Sequence, residues 1–149
     1  QDAEEAQAKE AGKKLADRKS SDFRGCRILL AEDNELNQEI AVAILEEAGF
    51  SVEVADNGQI AVDMLKKSRP GYYRIILMDV QMPVMNGYEA TRLIRGMNDD
   101  SLSSIPILAM TANAFEEDRQ EALRSGMNGH IAKPIDVDYL FDALTRVLA

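Results

Sequence analysis

From Cys26 onward, short apolar runs alternate with longer segments in which apolar residues recur every three or four positions. The first, third and fourth runs are apolar nearly throughout, which is typical of strands covered on both faces, whereas the second alternates between polar and apolar residues. The pattern therefore predicts five strands, each followed by a helix. The strands are CRILLA at 26–31, SVEVA at 51–55, RIILMD at 74–79, IPILAM at 105–110 and HIAK at 130–133.

The predicted helices start and stop at recognisable signals. Asp33 and Asn34 precede the first helix as candidate caps, and Gly49 ends it. The third helix is expected from about Gly87 to Arg95. The positions expected to face a core are Ile40, Ala43, Ile44, Leu45 and Ala48 in the first helix, Ile60, Ala61, Met64 and Leu65 in the second, Tyr88, Leu93 and Ile94 in the third, and Val137, Leu140, Leu144 and Val147 in the last.

Strands that alternate with helices are the signature of a parallel α/β sheet with helices on both faces. In open sheets of this kind, ligands bind outside the carboxyl ends of the strands, where the strand order reverses. The chemically informative residues are therefore expected at the points where the predicted strands stop.

Charged and hydroxyl side chains occupy four of these strand ends. Glu32 and Asp33 follow the first strand, Asp79 ends the third, Thr111 follows the fourth and Lys133 ends the fifth. Each alone is adequately explained as a helix cap, a loop residue or a surface lysine. Their coincidence at one edge of a sheet favours a shared site.

The combination has a chemical rationale. Three carboxylates brought together repel, and their pKa values rise unless a cation offsets the charge. Hard oxygen ligands without His or Cys favour Mg²⁺, or Mn²⁺ as a similar ion. A carboxylate can also attack phosphorus to form an aspartyl phosphate, with cations and donors around the phosphoryl oxygens. The pattern predicts a phosphoryl-accepting site with Asp79 as the nucleophile and Thr111 and Lys133 beside it.

Four stretches, ILLAEDNELNQ, ILMDVQMPVMNGYEATRLIR, IPILAMTANAF and IAKPID, resemble the receiver domain of response regulators in two-component signalling. The resemblance covers about residues 26–148, and AEDNELNQ and MTANAF look most like receivers fused to hybrid sensor histidine kinases. It implies a flavodoxin-like (βα)5 doubly wound parallel sheet with strand order 2-1-3-4-5.

The resemblance also implies a role for each site residue. Asp79 would be the phosphoacceptor, and Thr111 would be the hydroxyl that moves in a conformational switch. Lys133 would pair with the phosphoryl group. The Mg²⁺ ion would be held by Glu32, Asp33, Asp79 and the backbone carbonyl of Gln81.

Four further features follow from the family pattern. Gln81 and Asn113 lie two residues after the phosphoacceptor and the switch threonine, where receivers tune the lifetime of the phosphoryl group. The peptide bond between Lys133 and Pro134 is expected to be cis. His130 stands where receivers usually have Tyr or Phe, so the aromatic part of the switch is in question here.

The function predicted first is transfer of a phosphoryl group from a histidine kinase phosphohistidine to Asp79, and onward to a histidine phosphotransfer domain. The domain would catalyse its own phosphorylation and dephosphorylation while acting mainly as an acceptor. An aspartyl-phosphate phosphatase is an alternative, but such enzymes usually carry a second Asp where Gln81 stands. A degenerate receiver or flavodoxin-like binding module is another, but no acidic or lysine position is missing, and AEDNELN would repel a phosphate in the absence of metal.

Length and composition bear on the domain organisation and on the possible functions. The 149 residues suit one domain, predicted at 26–149. Residues 1–25 contain six acidic and six basic side chains and are expected to be a helical or disordered linker or tail. The net charge of −9 argues against nucleic-acid binding. A single cysteine and the lack of a signal peptide or membrane-spanning run favour a cytoplasmic setting, as the cytoplasmic part of a larger kinase. A start at Gln1 fits excision from such a parent.

Overall fold

A computed structural model describes residues 6, 25–112, 116–133 and 135–148. The predicted tail, residues 1–25, lies outside this part of the chain except for Ala6 and Gly25, so the domain boundary stays a prediction. Asn113, predicted to affect the lifetime of the phosphoryl group, also lies outside the described residues. So does Pro134, and with it the expected cis peptide bond after Lys133. No helix within the described ranges has the length and apolar character that a membrane crossing requires.

The structure confirms the five strands and their order. They form one parallel sheet in the order β2-β1-β3-β4-β5, so the two strands nearest the start of the chain lie at one side and the order reverses between β1 and β3. The strands are β1 at Arg27–Ala31, β2 at Ser51–Ala55, β3 at Ile75–Asp79, β4 at Ile107–Thr111 and β5 at Gly129–Ala132.

Five helices follow the strands, as the sequence predicts, and three of them begin after an asparagine cap. Asn34, Asn57 and Asn86 each accept a hydrogen bond from a backbone N–H in the first turn, which satisfies a donor that has no partner within the helix. An unpredicted short helix, Asp100–Ser103, lies before β4. The helices are α1 at Glu35–Glu47, α2 at Gly58–Lys67, α3 at Gly87–Arg95, α4 at Glu116–Ser125 and α5 at Val137–Leu148.

The core consists of two apolar layers, one on each face of the sheet. In β3, Ile75 and Leu77 belong to the layer that contains residues of α1 and α5, whereas Ile76 and Met78 belong to the layer on the opposite face. All four side chains are fully buried. Because successive residues of a strand point to opposite faces, this continuous apolar run is held from both sides and places Asp79 firmly at the strand end.

Two of the predicted inward positions are wrong. Leu93 is 48% exposed and Ile60 is 38% exposed, whereas Ala41 and Val62, which were not predicted, are buried. An α-helix turns by about 100° per residue, so one position decides whether a side chain at the edge of the apolar stripe faces the core. In α3 the buried positions include Thr91, whose hydroxyl donates to the carbonyl of Gly87 at 2.8 Å and thereby tolerates burial.

The loop between β3 and α3 is tightly folded. The N–H of Gly87 donates to the carbonyl of Val80 at 2.9 Å, and a Cβ at position 87 would clash with the backbone carbonyl of Asp79. Within the loop, Met85 donates to the carbonyl of Pro83 at 2.7 Å, and Val84 between them has a φ of 68°. A β-branched residue is strained at positive φ.

We expect the Val84→Asn variant to be more stable than the original chain by about 1 kcal/mol, because asparagine tolerates the left-handed conformation that valine resists. The Val84 side chain is 80% exposed, so its removal costs little burial. Urea unfolding at equilibrium measures the difference. The Val84→Ala variant serves as the control, since it keeps a Cβ at positive φ. A Val84→Asn variant no more stable than Val84→Ala contradicts the strain.

Candidate functional site

The sheet order brings the predicted residues together at the carboxyl ends of the strands. Because β1 and β3 are neighbours, and β4 and β5 follow in order, residues far apart in sequence line one cleft of about 250 Å³. Of the predicted site residues in the described ranges, all but one contribute to its lining. These are Glu32, Asp33, Asp79, Gln81, Thr111 and Lys133, and the exception is His130.

Three carboxylates meet in this cleft with different degrees of burial. Glu32 is 2% exposed and Asp79 is 5% exposed, whereas Asp33 faces solvent. One oxygen from each lies within 4.8 Å of the oxygens of the other two. Two carboxylates are thus withdrawn from water, and their negative charge must be offset within the site.

Lys133 supplies part of that compensation. Its Nζ lies 2.8 Å from Oε2 of Glu32 and 3.1 Å from Oδ2 of Asp79, so one ammonium bridges both buried carboxylates. The backbone N–H of Lys133 donates to the carbonyl of Thr111 at 2.8 Å, which fixes the start of the side chain beside β4. The two acids come from β1 and β3 and the base from the end of β5, so the pairing depends on the whole sheet.

The charge balance is incomplete, and the pKa of Asp79 reflects this. Burial raises the pKa of Asp79 to about 6, with the neighbouring charge of Glu32 adding to the effect and Lys133 opposing it. Burial alone would lower the pKa of Lys133, but its hydrogen bonds to Glu32 and Asp79 outweigh burial and the pKa is raised. One ammonium among three carboxylates leaves the cleft negative, which favours a further cation.

The first turn of α1 holds Glu32 in place. Oε1 of Glu32 accepts from the backbone N–H of Asn34 at 3.2 Å and from Nδ2 of Asn37 at 3.3 Å. Nε2 of Gln38 donates to the backbone carbonyl of Glu32 and, at 2.9 Å, to Oδ1 of Asp56 at the end of β2. Asn37 and Gln38 were not among the predicted site residues. Their positions five and six residues after Glu32, at the start of the next helix, were the available signal.

The donor set fits a small divalent cation. All candidate ligand atoms are carboxylate oxygens, with no imidazole or thiolate among them, which suits Mg²⁺ or Mn²⁺. The three oxygens lie within 4.8 Å of one another, and opposite ligands of an octahedral ion at about 2.1 Å are roughly 4.2 Å apart, so the cluster is small enough to share one such ion. Gln81 lines the same cleft.

His130 lies away from the cleft. It pairs with Ala109 in the β4–β5 register, and its ring centroid is 6.5 Å from that of Tyr139 in α5. Burial lowers its pKa, and the charges of Arg119 and Arg146 act in the same direction, against Glu116. His130 therefore lies near α4 and α5, and its part in a switch stays a prediction.

Comparison with known proteins agrees with this geometry. The sequence model of the response regulator receiver domain family matches residues 28–145. The chain is 37% identical over 120 residues to hybrid signal transduction histidine kinase I of Dictyostelium discoideum. The aligned region covers 79% of this chain and 7% of that protein. The chain spans 5% to 15% of the length of such histidine kinase relatives.

Solved structures agree as well. The receiver domain of a sensor histidine kinase from Pseudomonas aeruginosa, with a magnesium ion coordinated in its active-site cleft, is 40% identical and superposes with a TM-score of 0.74, covering 83% of this chain and 98% of that one. A chain from the Saccharomyces cerevisiae complex between the histidine phosphotransfer protein Ypd1 and the receiver domain of Ssk1 is 34% identical, with a TM-score of 0.74 and coverages of 85% and 90%.

The family match extends over most of the chain, and the solved relatives share its fold. The CheY4 chemotaxis protein of Vibrio cholerae, 31% identical with a TM-score of 0.74, has the same fold, covering 83% of this chain and 99% of that one. Asp79, Lys133 and the paired acids after β1 lie together at the sheet edge where such folds bind ligands. This chain belongs to the response regulator receiver domain family of two-component signalling, in the flavodoxin-like fold.

Proposed function

We propose that this receiver accepts a phosphoryl group on Asp79 from the phosphohistidine of a histidine kinase. A carboxylate oxygen of Asp79 attacks phosphorus, the O–P bond forms and the N–P bond of the donor breaks, with its electron pair left on the imidazole. The observation that carries the proposal is the position of Asp79, a buried carboxylate at a rigid strand end, within 3.1 Å of Lys133 and beside two further acids.

The neighbouring residues have distinct roles in this proposal. Lys133 positions Asp79 before transfer and then donates to a phosphoryl oxygen. The Thr111 hydroxyl at the end of β4 donates to another oxygen. Glu32, Asp33, Asp79 and the carbonyl of Gln81 would hold Mg²⁺ or Mn²⁺. When bound, the ion neutralises the carboxylates and the phosphoryl oxygens.

The alternative functions are less well supported. A phosphatase that turns over small phosphoesters needs an acid–base group two residues after the nucleophile, and the amide of Gln81 cannot exchange protons in that way. A degenerate receiver that only binds a partner would lack one of the acids or the lysine, and all of them line the cleft. Gln81, and Asn113 outside the described residues, are proposed to affect how long the phosphoryl group persists.

Phosphorylation is proposed to move Thr111 toward the new charge and to alter the face formed by α4, β5 and α5. His130 on β5, with Tyr139 of α5 nearby, is a second candidate for this change. NMR spectra of the free and phosphorylated chain test it, since a participating His130 changes its ring signals. Unchanged ring signals exclude it from the switch.

The proposed partners are a histidine kinase, in the same or another chain, and a histidine phosphotransfer domain. The support comes from relatives: the curated relatives include hybrid histidine kinases, and one structural neighbour comes from a complex with a histidine phosphotransfer protein. This phosphorelay is proposed to lie on the cytoplasmic side, without membrane insertion by this domain. The acidic net charge of −9 argues against nucleic-acid binding.

The proposed function is tested by incubating the chain with Mg²⁺ and a small phosphodonor such as acetyl phosphate and measuring its intact mass. One added phosphoryl group is expected with the original chain and none with the Asp79→Asn variant. Phosphorylation that does not depend on Asp79 contradicts the proposal, and continuous release of phosphate from many phosphoesters favours the phosphatase.

Metal binding gives a separate prediction. We expect Mg²⁺ to raise the free energy of unfolding, because it relieves repulsion in the folded cleft and has no equivalent site in the unfolded chain. At a concentration about tenfold above the dissociation constant, the gain is about 1.4 kcal/mol. Thermal unfolding with and without Mg²⁺ measures it. The gain should vanish in Asp33→Asn and persist in Asp63→Asn, a carboxylate in α2 outside the cleft. Equal gains in both variants contradict the assigned site.

A further inference from the structure

The end of the sheet opposite Asp79 carries two adjoining clefts that the proposed function does not use. One, of about 360 Å³, lies between the start of β1 and the loop before β3. The other, of about 500 Å³, lies along the end of α2, and the two share Arg69 and Tyr72. We call these two clefts the amino-end surface, and the lining residues that matter here are Arg27, Met64, Arg69, Tyr72, Tyr73 and Arg74. Glu53 also lines the second cleft, where Arg27 and both tyrosines contact its carboxylate.

The first cleft is basic, although the chain as a whole has 26 acidic and only 17 basic residues. Among the described residues, no carboxylate forms an ion pair with Arg69 or Arg74. The one side-chain contact of Arg74 in that part of the chain is to Sγ of Cys26 at 3.8 Å. Arg27 is shared with Glu53 at 3.4 Å. Within the described part of the chain, the guanidinium groups of Arg69 and Arg74 thus have no carboxylate partner.

The aromatic part of the surface is held in a fixed position. The hydroxyl of Tyr72 donates to Oε2 of Glu53 at 2.6 Å, and that of Tyr73 donates to Oε1 at 2.7 Å. The guanidinium of Arg27 lies 4.0 Å from the ring centroid of Tyr72. Tyr73 is 6% exposed, so a ligand contacts mainly the half-buried ring of Tyr72. Because that ring is already held in place, few side chains are ordered on binding, which favours affinity. Tyrosine and arginine are also the residue types that dominate binding energy at protein interfaces.

We propose that the amino-end surface binds an acidic peptide segment, with carboxylates at Arg69 and Arg74 and an apolar side chain in the cleft beside Met64 and Tyr73. The planar donors of a guanidinium match a carboxylate in two parallel hydrogen bonds. The second cleft adds apolar surface next to the basic one, so the two together suit an extended peptide that carries both kinds of side chain better than a small anion.

Charge and distance favour a short acidic segment over a broad polyanion. A membrane or nucleic-acid surface would also face the acidic remainder of the chain, whose net charge is −9. A peptide segment meets only the basic end. A five-residue strand at about 3.3 Å per residue separates the two ends of the sheet by about 16 Å, which exceeds the screening length of about 8 Å at physiological salt. The acids around Asp79 therefore repel such a segment only weakly, and its binding leaves Asp79 accessible.

The experiment is an NMR titration of the isotope-labelled full chain with the probe acetyl-Glu-Glu-Leu-Glu-Glu-amide. Amide signals of Arg27, of Arg69 and of residues 71–74 should shift, and binding should be about tenfold weaker at high salt than at low salt. The charge-reversal variant Arg69→Glu/Arg74→Glu should lose the shifts. The control Arg119→Glu/Arg124→Glu, which reverses two exposed arginines of α4, changes the net charge equally and should bind within about twofold of the original chain.

Each outcome decides the proposal. Equal loss in both variants shows a net-charge effect and overturns it, as does the absence of shifts in the original chain. Inorganic phosphate that shifts the same signals as strongly as the peptide indicates a simple anion site instead. A probe with Ser in place of Leu that binds equally well removes the apolar cleft from the proposal. Thermal unfolding of both charge-reversal variants verifies that they fold. The Asp79→Asn variant should bind the peptide as the original chain does, so failure of peptide binding can be distinguished from failure of phosphorylation.

Discussion

The Asp79→Asn variant is expected to take up no phosphoryl group under conditions that phosphorylate the original chain. The amide has nearly the shape of the carboxylate but no oxygen with the charge needed to attack phosphorus. The fold should persist, because Lys133 keeps its 2.8 Å contact to Glu32 and the strand that ends at position 79 is buried among apolar residues. Intact mass after treatment with Mg²⁺ and acetyl phosphate measures the result.

A matched control separates the loss of the nucleophile from the loss of a negative charge at this edge of the sheet. Asp56 follows β2, is exposed and contacts Gln38, whose other partner is the carbonyl of Glu32. The Asp56→Asn variant removes a nearby carboxylate that we do not place in the site, so it should be phosphorylated as the original chain is. Phosphorylation of Asp79→Asn, or its loss in Asp56→Asn alone, contradicts the assignment.

The Lys133→Met variant is expected to lose stability and to accept phosphoryl groups more slowly. Methionine retains the apolar part of the side chain, so the main loss is the ammonium that bridges Glu32 and Asp79. Removal of one partner from a buried ion pair costs about 3–5 kcal/mol, and the partial exposure of Lys133 places the expected loss near the lower end, about 3 kcal/mol. Loss of a donor to the transferring group should slow phosphorylation by about 10²–10³-fold.

Urea unfolding and the rate of mass increase measure these two effects separately. A double-mutant cycle with Glu32→Gln tests the cause of the instability, because a neutral side chain at position 32 removes one of the charges that Lys133→Met leaves unpaired. The double variant should recover part of the stability but not the phosphorylation rate. Lys67→Met, at the exposed end of α2, is the surface control and should resemble the original chain. Unchanged stability and rate in Lys133→Met contradict the role of the bridge.

Much of the fold was predictable because local signals agreed with it. The apolar run that ends at Asp79 and the asparagines before α1, α2 and α3 mark strands and helix starts that depend on near neighbours in sequence. The exposure of Leu93 and Ile60 was not predictable in the same way. Periodicity indicates which residues share a side of a helix, but the edge of the buried stripe depends on how the helix lies on the sheet.

The site likewise has features that the sequence predicted and features that it did not. The strand-end positions identified Glu32, Asp33, Asp79, Thr111 and Lys133 as candidates, and they line one cleft. The sequence did not indicate that Lys133 lies closer to Glu32, 101 positions away, than to Asp79. Nor did it indicate that the side chain of Asn37 helps to hold Glu32. Such contacts depend on strand order, on register and on side-chain direction, none of which is a local property.

By itself, the sequence determined which residue types stand at the strand ends and that β1, β3 and β4 are buried, since both follow from composition and period along the chain. Only the tertiary structure decided which charges meet. It pairs one lysine with two buried acids at the carboxyl edge, and at the opposite end it gathers Arg27, Arg69 and Arg74 around one cleft. The physical reason is that electrostatic and packing energies depend on distance in space, which the folded sheet sets.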